Sequence, residues 1–239
     1  MINLKKIERY PIKNSRFSSH IRISRIIKAA VPLNEKISVL DVGCSKGGLF
    51  KLLPRESISY LGVEPHLEDF EDAQKLGIPA LNLDANDALR EINDLFDFVV
   101  FADVLEHIAN PEKVLIETHK ALTPNGKVII SVPNIAHFSI RLLLFFGLWN
   151  YTQRGILDKT HLRFFTKKSL RKFVTKNNFE VIDWIYTPIP LEALPFRIPT
   201  FLFNIIDHLN YTLTSFIPRL FAFQFVVVLE PTLNQVNLK

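Results

Sequence analysis

The sequence predicts an α/β fold in three layers, a mostly parallel sheet covered by helices on both sides. Three observations predict it. Short, near-continuous apolar runs alternate with segments of helical spacing from residue 37 to residue 134. Strands buried on both faces read that way, and parallel strands need helices as crossovers. The glycines and acids that break the pattern, Gly43 to Gly48, Glu64, Asp84 and Asp103, fall at or just past strand ends. Ligands of open parallel sheets bind at the carboxyl ends of the strands.

Each element has its own signal. Ser18 or Ser19 can cap a first helix over about 18–30, where Ile23, Ile26, Ile27 and Ala30 repeat at helical spacing. KISVLDV (36–42) is β-branched and apolar and reads as the first strand. GLFKLL (48–53), stopped by Pro54, reads as a helix with Leu49, Leu52 and Leu53 inward. SISYLGVE (57–64) is the second strand, residues 69–76 form a helix ending at Gly77, and PALNLD (79–84) is the third strand. ANDALREI (85–92) is helical and FDFVVFAD (96–103) is the fourth strand. Asn110 and Pro111 open a helix with Val114, Leu115, Thr118, Ala121 and Leu122 on its inner face. Pro124-Asn125-Gly126 is a turn before the fifth strand, KVIISVP (127–133). Beyond residue 134 the pattern changes. FSIRLLLFFGLW (138–149) is an apolar helix or lid, and Thr166 caps a helix facing inward with Leu170, Phe173, Val174 and Asn177. FEVIDWIY (179–186) is the sixth strand, and PIPLEALPFRIP (188–199) is broken by proline. FLFNIIDHLNYTLTSFI (201–217) is helical, and FAFQFVVVLEP (221–231) closes the sheet.

Composition narrows the class. The chain has 239 residues, 48% of them apolar and 22% charged, which suits one substantial core. Cys44 is the single cysteine, so no disulfide framework exists and a reducing, cytoplasmic compartment is expected. The first ten residues lack the apolar core of a secretory signal, and no run of 18 residues is uniformly apolar. Charge is uneven. Residues 1–28 hold eight basic side chains against Glu8, net +7, while the whole chain carries +5. A basic arm on a slightly acidic body argues against a nucleic-acid partner, whose footprint would lie beside the cleft.

The glycine turn admits two ligands. In a dinucleotide fingerprint the glycines would stand at Gly43, 45 and Gly48, followed by an acid about 20 residues on. Position 45 is Ser45, while Glu64 supplies the acid. Such an acid suits any adenosine ribose, so NAD remains an alternative at this point.

The remainder of the chain decides between them. Asp41-x-Gly43-x-x-x-Gly47 resembles the first motif of the class I S-adenosylmethionine-dependent methyltransferases. Val63-Glu64-Pro65 looks like their second motif, and Leu83-Asp84-Ala85 like their third. Phe96 to Leu115, with Ala102 and Asp103, resembles the fourth, and Leu122 to Asn134 the fifth. DKTHLRFFTKKSLRKFVTKNNFEV (158–181) is similar to a stretch in the ubiquinone-pathway and small-molecule branch. Ser45 departs from the frequent glycine. The resemblance implies a Rossmann-like sheet of seven strands, the last antiparallel, with helical insertions at about 135–166 and 188–219. It implies a domain over 35–239 preceded by a basic arm and helix (1–34), and S-adenosylmethionine as cofactor. It places Asp41, Gly43, Cys44 and Gly47 at the methionine end, Glu64 and Pro65 at the ribose, Asp84 and Ala85 at the adenine, and Ala102 and Asp103 near the methyl group. A catalytically silent, methyltransferase-like binding module is the non-enzyme alternative.

Methyl transfer to a hydroxyl needs alignment and removal of a proton, for which histidine is the usual base. His161 and His107 are the candidates, and Trp149, Tyr151, Phe164 and Phe165 bracket His161. Asp103, Glu106 and His107 at i, i+3, i+4 form a further candidate set for a divalent ion, which the expectation leaves aside. The expected acceptor is a small, sugar or lipid-linked molecule. Large apolar side chains at 138–149 and 196–217, flanked by Arg141, Arg197 and Arg219 and interrupted by Asn204, Asp207 and His208, suggest contact with the inner membrane face without spanning.

Overall fold

The computed structural model describes residues 17–193 and 199–232; the N-terminal arm up to Arg16, Arg197 and the last seven residues lie outside that description. Seven strands form one sheet: β1 (Ile37–Val42), β2 (Ile58–Val63), β3 (Ala80–Leu81), β4 (Phe96–Ala102), β5 (Leu122–Pro133), β6 (Phe179–Thr187) and β7 (Gln224–Pro231). Their order is β3-β2-β1-β4-β5-β7-β6. The first five are parallel, and β7 runs antiparallel between β5 and β6. The expected sheet, with its antiparallel last strand, is therefore present.

Alternation along the strands divides the core into two layers. Leu40, Val42, Val99, Phe101, Phe225 and Val227 point to one cluster with Leu115, Leu170 and Val174. Val39, Phe98, Val100, Ile129, Val226 and Val228 point to the other, with Ile23 and Ile27. The first layer's helices are α3 (Ala85–Glu91), α4 (Pro111–Thr118) and α6 (Lys167–Lys176); the second is covered by α1 (Ser19–Ala30) and α2 (Leu67–Lys75). Ser18 caps α1 through Ile21 N, Asn110 caps α4 with Pro111 in its first turn, and Thr166 and Ser169 form a capping box on α6. The two insertions are α5 (Phe138–Phe145), which follows β5, and α7 (Thr200–Phe216) with α8 (Pro218–Phe221), which follow β6. Among the described residues no helix is long and apolar enough to cross a membrane.

Three elements differ from expectation. GLFKLL gives only a 3-10 turn, Phe50–Leu52, because two glycines precede it and Pro54 follows; Leu49 and Leu53 are buried as expected. The third strand is two residues long, because Asn82 turns back and its side-chain amide donates to the carbonyls of Glu64 (2.8 Å) and Pro65 (3.1 Å). The Pro124–Gly126 turn lies inside β5 as an irregularity: pairing to β4 jumps from Phe96↔Leu122 to Phe98↔Lys127.

Candidate active site

The strand order reverses between β1 and β4, which opens a crevice at their carboxyl ends. Residues 43–47 leave β1 there with positive φ at every second residue, Gly43 (78°), Ser45 (47°) and Gly47 (73°). A Cβ at Gly43 would stand 2.5 Å from Val104 Cγ2, and one at Gly47 would stand 2.0 Å from Ile78 Cδ1. Both glycines are thus required by backbone conformation and by space. Ser45 shares the left-handed conformation, which explains why glycine is frequent at this position in the family it resembles. Since no α-helix starts after the turn, a helix dipole contributes nothing at the methionine end, contrary to the expected strand–turn–helix.

The strand-end acids are each held. Asp41 is buried, and Tyr60 Oη donates to it at 2.7 Å. Burial pushes its carboxyl up to about 7, against the Tyr60 hydrogen bond and with Glu64 adding to the rise. Glu64 accepts Ser45 N–H and His66 N–H, one on each carboxylate oxygen, both at 2.9 Å. Burial raises its pKa while those two amides oppose the rise. Asp84 is exposed and caps α3 through the amides of Asn86 (2.8 Å) and Asp87 (3.0 Å), with Ala85 as the first helical residue. Cys44 is buried between the turn and Gly62, and burial raises its thiol pKa out of the reactive range. Ala102 is buried at the end of β4, and Pro65 follows Glu64 with its carbonyl bonded to Asn82.

Asp103 is held by three other elements. At φ 60° it turns its carboxylate to Ser131 Oγ (2.6 Å), Gln224 Nε2 (3.0 Å) and Ser19 Oγ (3.3 Å). It therefore ties β4 to β5, β7 and α1, and it does not share a ligand set with Glu106 and His107. His161 takes its place. Glu106, His107 and His161 each offer one ligand atom, all within 4.8 Å of one another. The histidine rings meet edge to face at 4.7 Å between centroids.

The loop between α5 and α6 sets both imidazoles. His161 Nδ1 lies 3.0 Å from the Ile156 carbonyl, and His107 Nδ1 lies 3.3 Å from the Thr160 carbonyl. A ring nitrogen facing a carbonyl must carry the proton, so in the neutral form of each ring Nε2 is the nitrogen with the lone pair. Thr160 Oγ1 donates to Asp158 (2.7 Å) and so can accept from His107 Nδ1 (3.1 Å). Burial, reinforced by His161, lowers the pKa of His107. Phe164 lies 6.2 Å from His161, and Trp149 lies 5.8 Å from Phe164. Phe165 instead packs in the core on Phe173, and its carbonyl accepts from Ile135 N. The sequence reading missed Tyr60, Ser131, Gln224, Asp158 and Thr160. Ser131 and Gln224 do carry a signal, as single polar residues inside buried apolar strands.

A parallel sheet with this strand order, a glycine turn after β1, an acid after β2 and an antiparallel last strand is the frame of the class I S-adenosylmethionine-dependent methyltransferases. A methyltransferase domain family model matches residues 17–183, and the chain belongs to that family. It is 30% identical over 152 residues to the ubiquinone biosynthesis O-methyltransferase of Rickettsia prowazekii (strain Madrid E), covering 56% of this chain and 60% of that one. It is 29% identical over 167 residues to the mitochondrial ubiquinone biosynthesis O-methyltransferase of Rattus norvegicus, covering 64% and 48%. The chain thus spans less than two thirds of the length of these two relatives. Among solved structures it resembles a SAM dependent methyltransferase from Archaeoglobus fulgidus, with TM-score 0.60 and 17% identity over 88% of this chain and 94% of that one. A Burkholderia thailandensis 1,6-didemethyltoxoflavin-N1-methyltransferase with bound S-adenosylhomocysteine gives 0.58 and 16% over 90% and 79%. These two likenesses are of fold.

Proposed function

We propose that the protein transfers the methyl group of S-adenosylmethionine to a hydroxyl of a small, apolar or lipid-linked acceptor. The observation that carries this reading is the pair His107 and His161, each with Nδ1 on a backbone carbonyl so that Nε2 is the basic nitrogen of the neutral ring, beside the end of β4 and next to the Phe164–Trp149 wall. The O-methyltransferase relatives support oxygen as the acceptor atom.

In this reading the backbone of Gly43 to Gly47 admits the methionine end of the cofactor, with Asp41 behind it. Glu64 accepts from the ribose hydroxyls with lone pairs its two amides leave over, and Asp84 and Ala85 border the adenine. The acceptor oxygen attacks the methyl carbon, the carbon–sulfur bond breaks, and its electron pair stays on sulfur as S-adenosylhomocysteine. His161 Nε2 takes the hydroxyl proton. His107, with its lowered pKa, remains neutral beside it and avoids a second positive charge.

The cluster of one carboxylate and two imidazoles favours a second reading of the same site. Glu106, His107 and His161 have donors suited to a divalent ion, and both rings have the Nδ1–carbonyl bonds that orient metal-bound imidazoles. Such an ion, when bound, would lower the pKa of the acceptor hydroxyl.

One assay separates the readings. Methyl-labelled S-adenosylmethionine is supplied with catechol and prenylated phenols, with and without a chelator. His161→Ala should lower kcat at least about 100-fold with cofactor affinity nearly unchanged. Unchanged turnover would remove His161 from the chemistry. Chelator-resistant activity keeps it as base, and loss restored by added divalent metal makes it a ligand.

A further inference from the structure

The end of the molecule that carries α5 and α7 presents an apolar surface of which the methyl-transfer reading uses only Trp149. Every residue from Arg141 to Gly155 is exposed. On α5 and just after it, Phe145 is 82% and Phe146 66% exposed; on α7, Phe201 is 68% and Phe216 82% exposed. The helical spacing of Leu202, Ile205, Ile206 and Leu209, which would normally face a core, here faces solvent. Ile140 alone on α5 is buried. Apolar surface of this extent on a protein marks a docking site.

Charge identifies the partner. Between residues 138 and 157 there is no acid, and between 199 and 229 the single acid is Asp207, which is buried. Arg141, Arg154 and Arg219 stand exposed among the apolar side chains. The described chain begins at this same place, because the Phe17 ring stacks on Tyr211 of α7 with centroids 5.2 Å apart. The sixteen residues before it hold Lys5, Lys6, Arg9, Lys13 and Arg16 against Glu8. Apolar side chains set among basic groups, without exposed acid, fit a bilayer with anionic headgroups. A second copy fits less well, since a two-fold contact would set these like charges against one another.

We propose that this face docks reversibly on an anionic lipid bilayer, with α5 and α7 lying in the interface and Arg141, Arg154 and Arg219 against the headgroups. Topology makes this useful. Both α5 and α7 follow the carboxyl ends of their strands, β5 and β6, the end of the sheet where the candidate site lies. Docking would bring the site's mouth toward the membrane. The inference rests on the surface and not on the identity of the methyl acceptor.

Co-sedimentation of the full chain with vesicles tests it. Vesicles of phosphatidylglycerol and phosphatidylcholine should bind the protein at least about tenfold more tightly than pure phosphatidylcholine, and high salt should remove the difference. The pair Phe145→Ser and Phe216→Ser should weaken binding at least about tenfold. Melting temperature and S-adenosylhomocysteine affinity should not change, because both side chains are exposed. Lys5→Gln, Lys6→Gln, Arg9→Gln and Lys13→Gln together should remove the salt-sensitive part. No sedimentation with either vesicle, or parent-like binding by both variants, overturns the proposal. A dimer that the Phe variant dissolves, without vesicle binding, assigns the face to a second copy and also overturns it. No turnover enters this readout, so its failure leaves the methyl-transfer reading standing, and failure of that reading leaves this one standing.

Discussion

Asp41 lies near the end of β1 and is buried, with Tyr60 Oη 2.7 Å from one carboxylate oxygen. Its carboxyl is raised from 3.8 to about 7, first by burial and then by Glu64, against the Tyr60 bond. A carboxyl raised in the folded state binds its proton more tightly there than in the unfolded chain. Its stabilising contribution is full below about pH 4 and is lost as pH rises through 7. Asp41→Asn removes that dependence. The melting temperature of the variant relative to the parent should therefore climb from pH 5 to pH 8 in thermal scans without ligand, and a constant difference would contradict the burial account. Other single residues were less legible. Gly43 and Gly47 could be named from spacing alone, since only glycine fits their φ and their closeness to Val104 and Ile78. The partners of Asp103 were not legible, because Ser131 and Gln224 come from strands 28 and 121 residues away in sequence. No local pattern announces contacts of that range.

At the scale of elements, Asp84 caps α3. Its Oδ1 accepts both Asn86 N–H and Asp87 N–H at the start of α3. Removing an N-cap acceptor costs about 1 kcal/mol. Asp84→Ala should lower stability by about that amount in denaturant titration, and Asp84→Ser should restore most of it; equal loss in both would deny the cap. Helices with capping signals, α1, α4 and α6, were legible in position and inner face because the cap and the apolar period agree. The elements read too long failed for local reasons. Two glycines and a proline leave no room for a helix at GLFKLL, and the Asn82 amide removes the next residues from β2. The spacing on α7 was read correctly as helical, yet periodicity alone does not say whether an apolar face meets a core or solvent.

At the scale of the molecule, the three-layer architecture followed from alternating apolar strands and helices, and the site's location followed from strand ends. The cluster of Glu106, His107 and His161 did not, because His161 reaches Glu106 and His107 through a loop more than 50 residues further along the chain. The central claim is that the glycine turn, Glu64 and the β4 end hold S-adenosylmethionine for methyl transfer. Calorimetric titration of the parent and Glu64→Ala with S-adenosylhomocysteine, and separately with NAD, tests it most directly. The parent should bind S-adenosylhomocysteine with a Kd on the order of micromolar, bind NAD at least about 100-fold more weakly, and lose at least about tenfold in affinity as Glu64→Ala, a loss of about 1.4 kcal/mol. Equal affinity of Glu64→Ala for S-adenosylhomocysteine, or tighter binding of NAD by the parent, would contradict it.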